Sequence, residues 1–174
     1  MTNKQAYVRL AKIKDAVELA PKIREADVKE IKASDNATPL EALVLPFTYE
    51  NNNKVKTFSI IGTGEEGVIG MFGVVPSDVE HHGVAWMLAS DLLFNHTLRF
   101  LKECPFWVEE MGKDYKVLYN FVDKENEYAV RWLKFLGFKI TAEEPQYGYG
   151  KIPFLLMTKE MICADSLKPV PSSV

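Results

Sequence analysis

The chain has 174 residues, 47% of them hydrophobic and 26% charged, with a formal charge of −3, a size and balance that fit one globular domain around one core. Acidic and basic residues are interspersed, so the concentrated basic face that nucleic acid requires is missing. The longest apolar runs, residues 68–75 and 84–88, fall far short of the roughly 20 residues that cross a bilayer.

Residues 7–10 form an apolar segment followed by Lys and Asp, which predicts a first strand turning into a helix, with Asp15 as its N-cap. Val17, Ala20, Ile23, Val28 and Ile31 fall roughly on helical spacing and Pro21 interrupts them, so residues 16–33 are expected to make two helical pieces. A short helix over residues 40–45 leads through Pro46 and a polar turn into the sheet. Residues 57–61, 67–75 and 84–88 are β-rich runs that read as an antiparallel meander. The glycines between Gly62 and Gly67 lack the Lys-Ser/Thr of a phosphate loop and read as a hairpin turn.

From residue 91 to residue 112 the period turns helical, and Pro105 is expected to kink or split that helix. Residues 117–122 read as a buried strand and residues 126–136 as an amphipathic helix stopped by Gly137. Residues 138–141 and 153–158 read as two closing strands, joined by a loop over residues 143–151 that is rich in Tyr and Gly. Cys104 and Cys163 offer neither a disulfide framework nor zinc-ligand spacing. His81 and His82, beside Glu80, point apart and lack a third ligand, so no metal site is expected. Trp86, Trp107 and Trp132 read as core or interface packing. The N-terminus carries no secretory signal, so a soluble protein made in a cytoplasm is expected.

The order of strand, helices, three-stranded meander, helix, strand, helix and two strands resembles the GNAT (N-acetyltransferase-like) fold. The residues that carry the likeness are Val8 to Ala11 with Asp15, then Asn126, Ala129, Gly137 and Phe138. The resemblance implies an α/β domain with a central mixed, mostly antiparallel sheet flanked by helices over residues 1–163, followed by a flexible tail over residues 164–174. Trp86, Ser90-Asp91, the stretch from Arg99 to Lys102, the stretch from Leu118 to Val122, Asn126, Leu133, Leu136-Gly137 and residues 154–159 further resemble the internal virion protein A family of short-tailed phages. That likeness implies a phage-encoded protein of the host bacterial cytoplasm, and of the virion if retained there. It would act in virion assembly or as an internal virion component, with a virion or host protein as partner and without nucleic acid or a membrane span.

In acetyltransferases of this fold, backbone N–H groups in a glycine-rich turn after the fourth strand hold the coenzyme's pyrophosphate. The equivalent stretch here, residues 88–96, has no glycine and carries Asp91. The proton-donating Tyr expected seven residues after Asn126 is Leu133, which donates nothing. The resemblance thus implies a catalytically degenerate protein with no cofactor, or acetyl-CoA if the pocket works. No catalytic residue is assigned. A surviving pocket is expected between the fourth and fifth strands, lined by Met87, Leu88, Ala89 and Asn126 with Trp132 nearby. The alternative reading is an active N-acyltransferase that uses a carboxylate or water as base. A third, a modifier of a host protein, would make contact through the tail or through residues 146–149.

Overall fold

A computed structural model describes residues 5–49 and 52–161. The chain runs β1 (Tyr7–Leu10), α1 (Ile13–Leu19), a 3-10 turn (Ala20–Lys22), α2 (Glu25–Asp35), α3 (Pro39–Val44) and a second 3-10 turn (Leu45–Thr48). There follow β2 (Lys56–Ile61), β3 (Val68–Pro76), β4 (His82–Ala89), a 3-10 turn (Asp91–His96) and α4 (Thr97–Gly112). The last elements are β5 (Val117–Asp123), α5 (Glu127–Phe135), β6 (Lys139–Tyr147) and β7 (Ile152–Glu160). Seven strands form one sheet in the order β1-β2-β3-β4-β5-β7-β6. Only β4 and β5 are parallel. This is the mixed, mostly antiparallel α/β architecture that the sequence predicts. The expected tail, residues 164–174, lies outside the described residues, as does Cys163.

Alternation along the strands sorts side chains onto two faces. On one face Ala16, Leu19, Leu43, Val68 and Met71 pack with Trp86 and Leu88 beneath α1 and α3. On the other, Phe72, Ala85 and Ala89 pack with Phe100, Cys104, Val108 and Met111 of α4 and Val130 of α5.

Three local expectations need correction. Asp15 is the third residue of α1, not its N-cap: Lys12 is the cap, and its backbone N–H donates to Asp15 at 2.8 Å. Pro105 does not split α4, which runs from Thr97 to Gly112. Proline removes one backbone donor, and here Phe100, Cys104, Val108 and Met111, packed into the core on both sides of it, hold the helix. The expected loop over residues 143–151 is mostly strand, because β6 pairs with β7 from Lys139↔Thr158 to Tyr147↔Ile152 through two irregularities. Tyr147 is accordingly fixed, stacked on Phe121 at 4.3 Å between centroids.

Candidate functional site

β4 and β5 pair only from His82↔Val117 to Val84↔Tyr119 and then diverge. In the antiparallel ladder with β3, alternate residues of β4 turn their amides toward β3, as Ser90 does in donating to the Ile69 carbonyl at 2.9 Å. Ala85, Met87 and Ala89 therefore turn theirs toward the gap left by β5. A cavity of about 90 Å³ occupies this gap and passes from one face of the sheet to the other. On the α4–α5 side its wall is apolar, with Phe72, Phe100, Trp107, Leu133 and Phe138. On the α2 side it is polar, with Arg24, Asp27, Glu30 and the indole of Trp86.

Helix α2 closes the open end of the gap with two acids three residues apart, which places them on one helix face. Asp27 accepts from the Ala89 N–H at 3.3 Å, and the Arg24 N–H donates to the Ala89 carbonyl at 3.0 Å. Glu30 accepts from the Asp123 N–H at 3.1 Å and from Asn126 Nδ2 at 3.0 Å. One acid thus caps the edge of β4 and the other the edge of β5. Burial pushes the Glu30 carboxyl up to about 7, against the lowering effect of its two donors and with the charges of Asp27 and Asp123 adding to the rise. Burial also raises Asp27, opposed by the Arg24 guanidinium and the Ala89 amide.

Arg24 grips Asp27 through Nε at 3.0 Å and through a terminal nitrogen at 2.8 Å, and its guanidinium lies over the Tyr128 ring at 5.2 Å and the Phe94 ring at 5.8 Å. Behind these rings Tyr128, Trp132 and Phe100 stack nearly parallel, so aromatic side chains fill the space between α4 and α5. The C-terminus of α2 is clamped as well. Tyr149 N–H donates to Ser34 O at 2.9 Å and Gly150 N–H to Ala33 O at 2.7 Å, satisfying two helix-end carbonyls.

Of the residues that the sequence singled out, Met87 and Trp132 line the cavity, as do Leu133 and Tyr128. Leu88 points to the opposite face among the α1 and α3 contacts. Ala89 is fully buried with its amide spent on Asp27. Asn126 caps α5 by accepting from the Ala129 N–H at 3.3 Å, and reaches the site through Glu30. Residues 88–96, where the resemblance places a pyrophosphate turn, end β4 and wind into the 3-10 turn. The amides of Ala89, Ser90 and Leu93 are all committed within the chain, to Asp27, Ile69 O and Ser90 O. His96 is held by Glu66 at 2.8 Å. Cys104 lines the cavity as a thiol pushed up by burial, unsuited to nucleophilic work. No group of three or more metal-ligating side chains occurs among the described residues. None of their helices is long and apolar enough to cross a membrane.

The same overall fold recurs in solved acetyltransferases. The fold is that of the GNAT acetyltransferases. A ribosomal-protein-S5-alanine acetyltransferase from Vibrio fischeri aligns with TM-score 0.66 and 19% identity over 97% of this chain and 100% of its own. A GCN5-related N-acetyltransferase from Kribbella flavida gives TM-score 0.67 and 16% identity over 91% and 99%. A spermidine N-acetyltransferase from Vibrio cholerae, solved with CoA and spermine, gives 0.67 and 12% over 91% and 97%. No family model matches the chain, and no curated protein matches it significantly. The GNAT likeness at these identities is a likeness of fold. Sequence reasoning missed Arg24, Asp27 and Glu30; the available signal was Asp27 standing four residues from both Ile23 and Ile31, an acid on an apolar stripe.

Proposed function

We propose that this chain is a phage-encoded GNAT-fold protein that has lost acetyl transfer and acts in virion assembly, or as an internal virion component, through contacts with virion or host proteins. One observation carries the loss of transfer: the two strand edges of the splay are capped by the chain's own carboxylates, Asp27 on Ala89 and Glu30 on Asp123. A coenzyme drawn along β4 would have to displace Asp27 and bring its phosphates toward Asp91 and the α2 acids, where like charge opposes it. The glycine-free turn and Leu133 in place of a proton donor agree with this reading. The assembly role rests on the resemblance carried by Trp86, Ser90-Asp91 and the stretch from Leu118 to Val122.

A thermal-shift titration with acetyl-CoA and desulfo-coenzyme A tests the first half. An enzyme held at 100 times its dissociation constant gains about 2.7 kcal/mol, roughly 5–10 °C for a domain of this size. The expected result is no shift; saturable stabilisation by either ligand would sink the proposal. Affinity capture from infected cells tests the second half. Internal virion proteins should co-purify, and their absence from both assembly intermediates and particles would remove the assembly role.

One feature favours a second reading, an N-acyltransferase moving acetyl from acetyl-CoA to an amine. Glu30, held near neutrality beside the cavity, has the proton affinity of a general base. The same titration separates the two.

A further inference from the structure

Helix α2 differs from α1 in what holds it. Eleven residues long, it buries one apolar side chain, Ile31, and one acid, Asp27, whereas the seven residues of α1 bury Ala16, Leu19 and Asp15. One aliphatic side chain is little to dock a helix that is marginal in water alone, so its place depends on hydrogen bonds. They form three anchors: Arg24 and Asp27 on Ala89, Glu30 on Asp123 N–H and Asn126 Nδ2, and the Ala33 and Ser34 carbonyls on Gly150 and Tyr149. The middle anchor stands apart in its charge balance. Asp27 on the same helix and Asp123 on β5 both disfavour a charge on Glu30. The remaining polar side chains around the cavity, such as Trp86 of β4, Cys104 of α4, Asn120 of β5 and Tyr128 of α5, are uncharged. Arg24 is engaged with Asp27, Lys29 with Glu25 and Lys124 with Glu143, while Lys32 of α2 and Lys151 of the β6–β7 turn are exposed to solvent. Glu30 therefore sits among acids with no cation to neutralise it, and burial carries its carboxyl up to about 7.

We propose that α2 is a proton-controlled strap: with Glu30 protonated it lies against the β5 edge and closes the splay, and with Glu30 ionised its middle lifts away and opens the splay on the α2 side. The neutral carboxyl suffices for the closed state. Oε2 takes both N–H donors, and Oε1, which makes no bond within the chain and is not sealed from solvent, takes the proton. Ionisation sets a charge between Asp27 and Asp123 in a poorly hydrated place, and both penalties end when the side chain swings into water. The flanking anchors need not break with it. One is an acid already neutralised by Arg24 and the other a pair of backbone amides, so they keep their bonds and act as hinges. The sign follows from linkage: an exposed glutamate titrates near 4.5 and the closed one at about 7, so opening gains as pH rises from about 4.5 and levels off above about 7. The proposal rests on the same capping of the splay that underlies the loss of transfer, and it requires no ligand.

Amide hydrogen exchange followed by NMR from pH 5 to pH 8, corrected for the intrinsic rate, reads this opening residue by residue. The direct reporter is the Asp123 N–H, which Glu30 holds. The two titration points allow at most about 70-fold in the opening constant over that range, and a discount for the partial exposure of Glu30 leaves about 20-fold. Asp123 and the α2 amides should show that rise, while the α1 amides change less than about threefold. Glu30→Gln keeps an acceptor oxygen for Asp123 and Asn126 and cannot ionise. It should abolish the rise and slow Asp123 exchange at pH 8 by a similar factor. Asn126→Asp gives an independent arm: it removes one donor and adds an acid while keeping a residue that caps α5, so Asp123 exchange at pH 8 should exceed the wild-type rate. An Asp123 opening constant that is flat with pH, or a rise that persists in Glu30→Gln, overturns the strap. So does a rise shared equally by α1, since ionisation would then loosen the whole fold. No ligand enters the measurement, so its failure leaves the coenzyme titration and the reading it tests untouched.

Discussion

Arg9 with Asp15 at the start of α1 and Arg24 with Asp27 at the start of α2 have the same composition, and both aspartates are buried, at 1% and 5% exposure. Their electrostatics differ. Burial alone would raise Asp15, but the Arg9 guanidinium at 2.6 and 2.9 Å, the Lys12 amide at 2.8 Å and the Ser59 hydroxyl at 2.8 Å outweigh it and hold the carboxyl at about 2. In the α2 cluster burial wins. Asp27 is raised despite Arg24, and Glu30, with an amide and an asparagine for donors and acids for neighbours, reaches about 7. What separates the two sites is desolvation, which the donors outweigh at Asp15 and do not outweigh at the more deeply placed Asp27 and Glu30. The first arrangement stabilises a fold, and the second keeps charge under strain beside a cavity.

The largest break in this contrast is Asp15→Asn. It removes the charge opposite the Arg9 guanidinium and replaces one of the two accepting oxygens by an NH2 donor, so one oxygen is left for Arg9, Lys12 and Ser59. A loss of about 3 kcal/mol is expected by urea denaturation, the low end for a broken buried pair because Arg9 is partly exposed. Acid should act through the same group. A folded pKa below the unfolded value gives stability that is complete above pH about 4 and lost as pH falls toward about 2.

Glu30→Gln should act with the opposite sign. The folded carboxyl titrates at about 7, above the unfolded value of 4.5, so the wild-type protein is destabilised progressively as pH rises from about 4.5 through 7. The full shift corresponds to about 3 kcal/mol, and after allowing for the partial exposure of the residue the amide variant should gain about 2 kcal/mol at pH 8 and nothing at pH 4. A stability difference that does not change across that range would show that Glu30 is not strained.

Gly148→Ala sharpens the comparison from a distance. Gly148 has φ +61° and a methyl group there would press on the Ser34 carbonyl, with Ala33 O 2.7 Å away. The substitution should cost more than the about 1–2 kcal/mol of left-handed strain, because the backbone of Ser34 and Ala33 must also move to admit the methyl group. Hydrogen exchange should quicken in α2 and not in α1, since only α2 is clamped by this turn.

The strained cluster was also the part least legible in the sequence. The meander was readable because β-branched runs alternate with glycine turns, and α5 because Asn126 and Gly137 mark its ends, Gly137 at φ +89°. Only the start of β6 was readable, as the strand expected over residues 138–141: the side chains of β6 are exposed along nearly its whole length, so no burial period marks the rest, and pairing with β7 makes it strand. At the site, counting from Asn126 found Leu133, and the strand spacing found Met87. Leu88 and Ala89 share that strand but serve other contacts, because alternation divides the faces and Asp27 takes the Ala89 amide. The acids of α2 were passed over in the sequence, although Asp27 stands on the stripe of Ile23 and Ile31. What buries them is the arrival of strand ends 62 and 93 residues away, which local pattern does not record.

Those separations also set a schedule. Helix α2 has 11 residues, short enough to be marginal in water without tertiary support. Its N-terminal anchor is Ala89, its middle anchor Asp123, and its C-terminal anchor the turn at Tyr149 and Gly150. At the roughly 5–20 residues per second of a ribosome, the 115 residues from Ser34 to Tyr149 take about 6 to 23 s to emerge. Within that interval the partners arrive in order, Ala89 for Asp27 first, Asp123 for Glu30 next and the Tyr149 turn last. The segment that seals the cavity is thus translated early, while the last of the partners that hold it are made more than a hundred residues later.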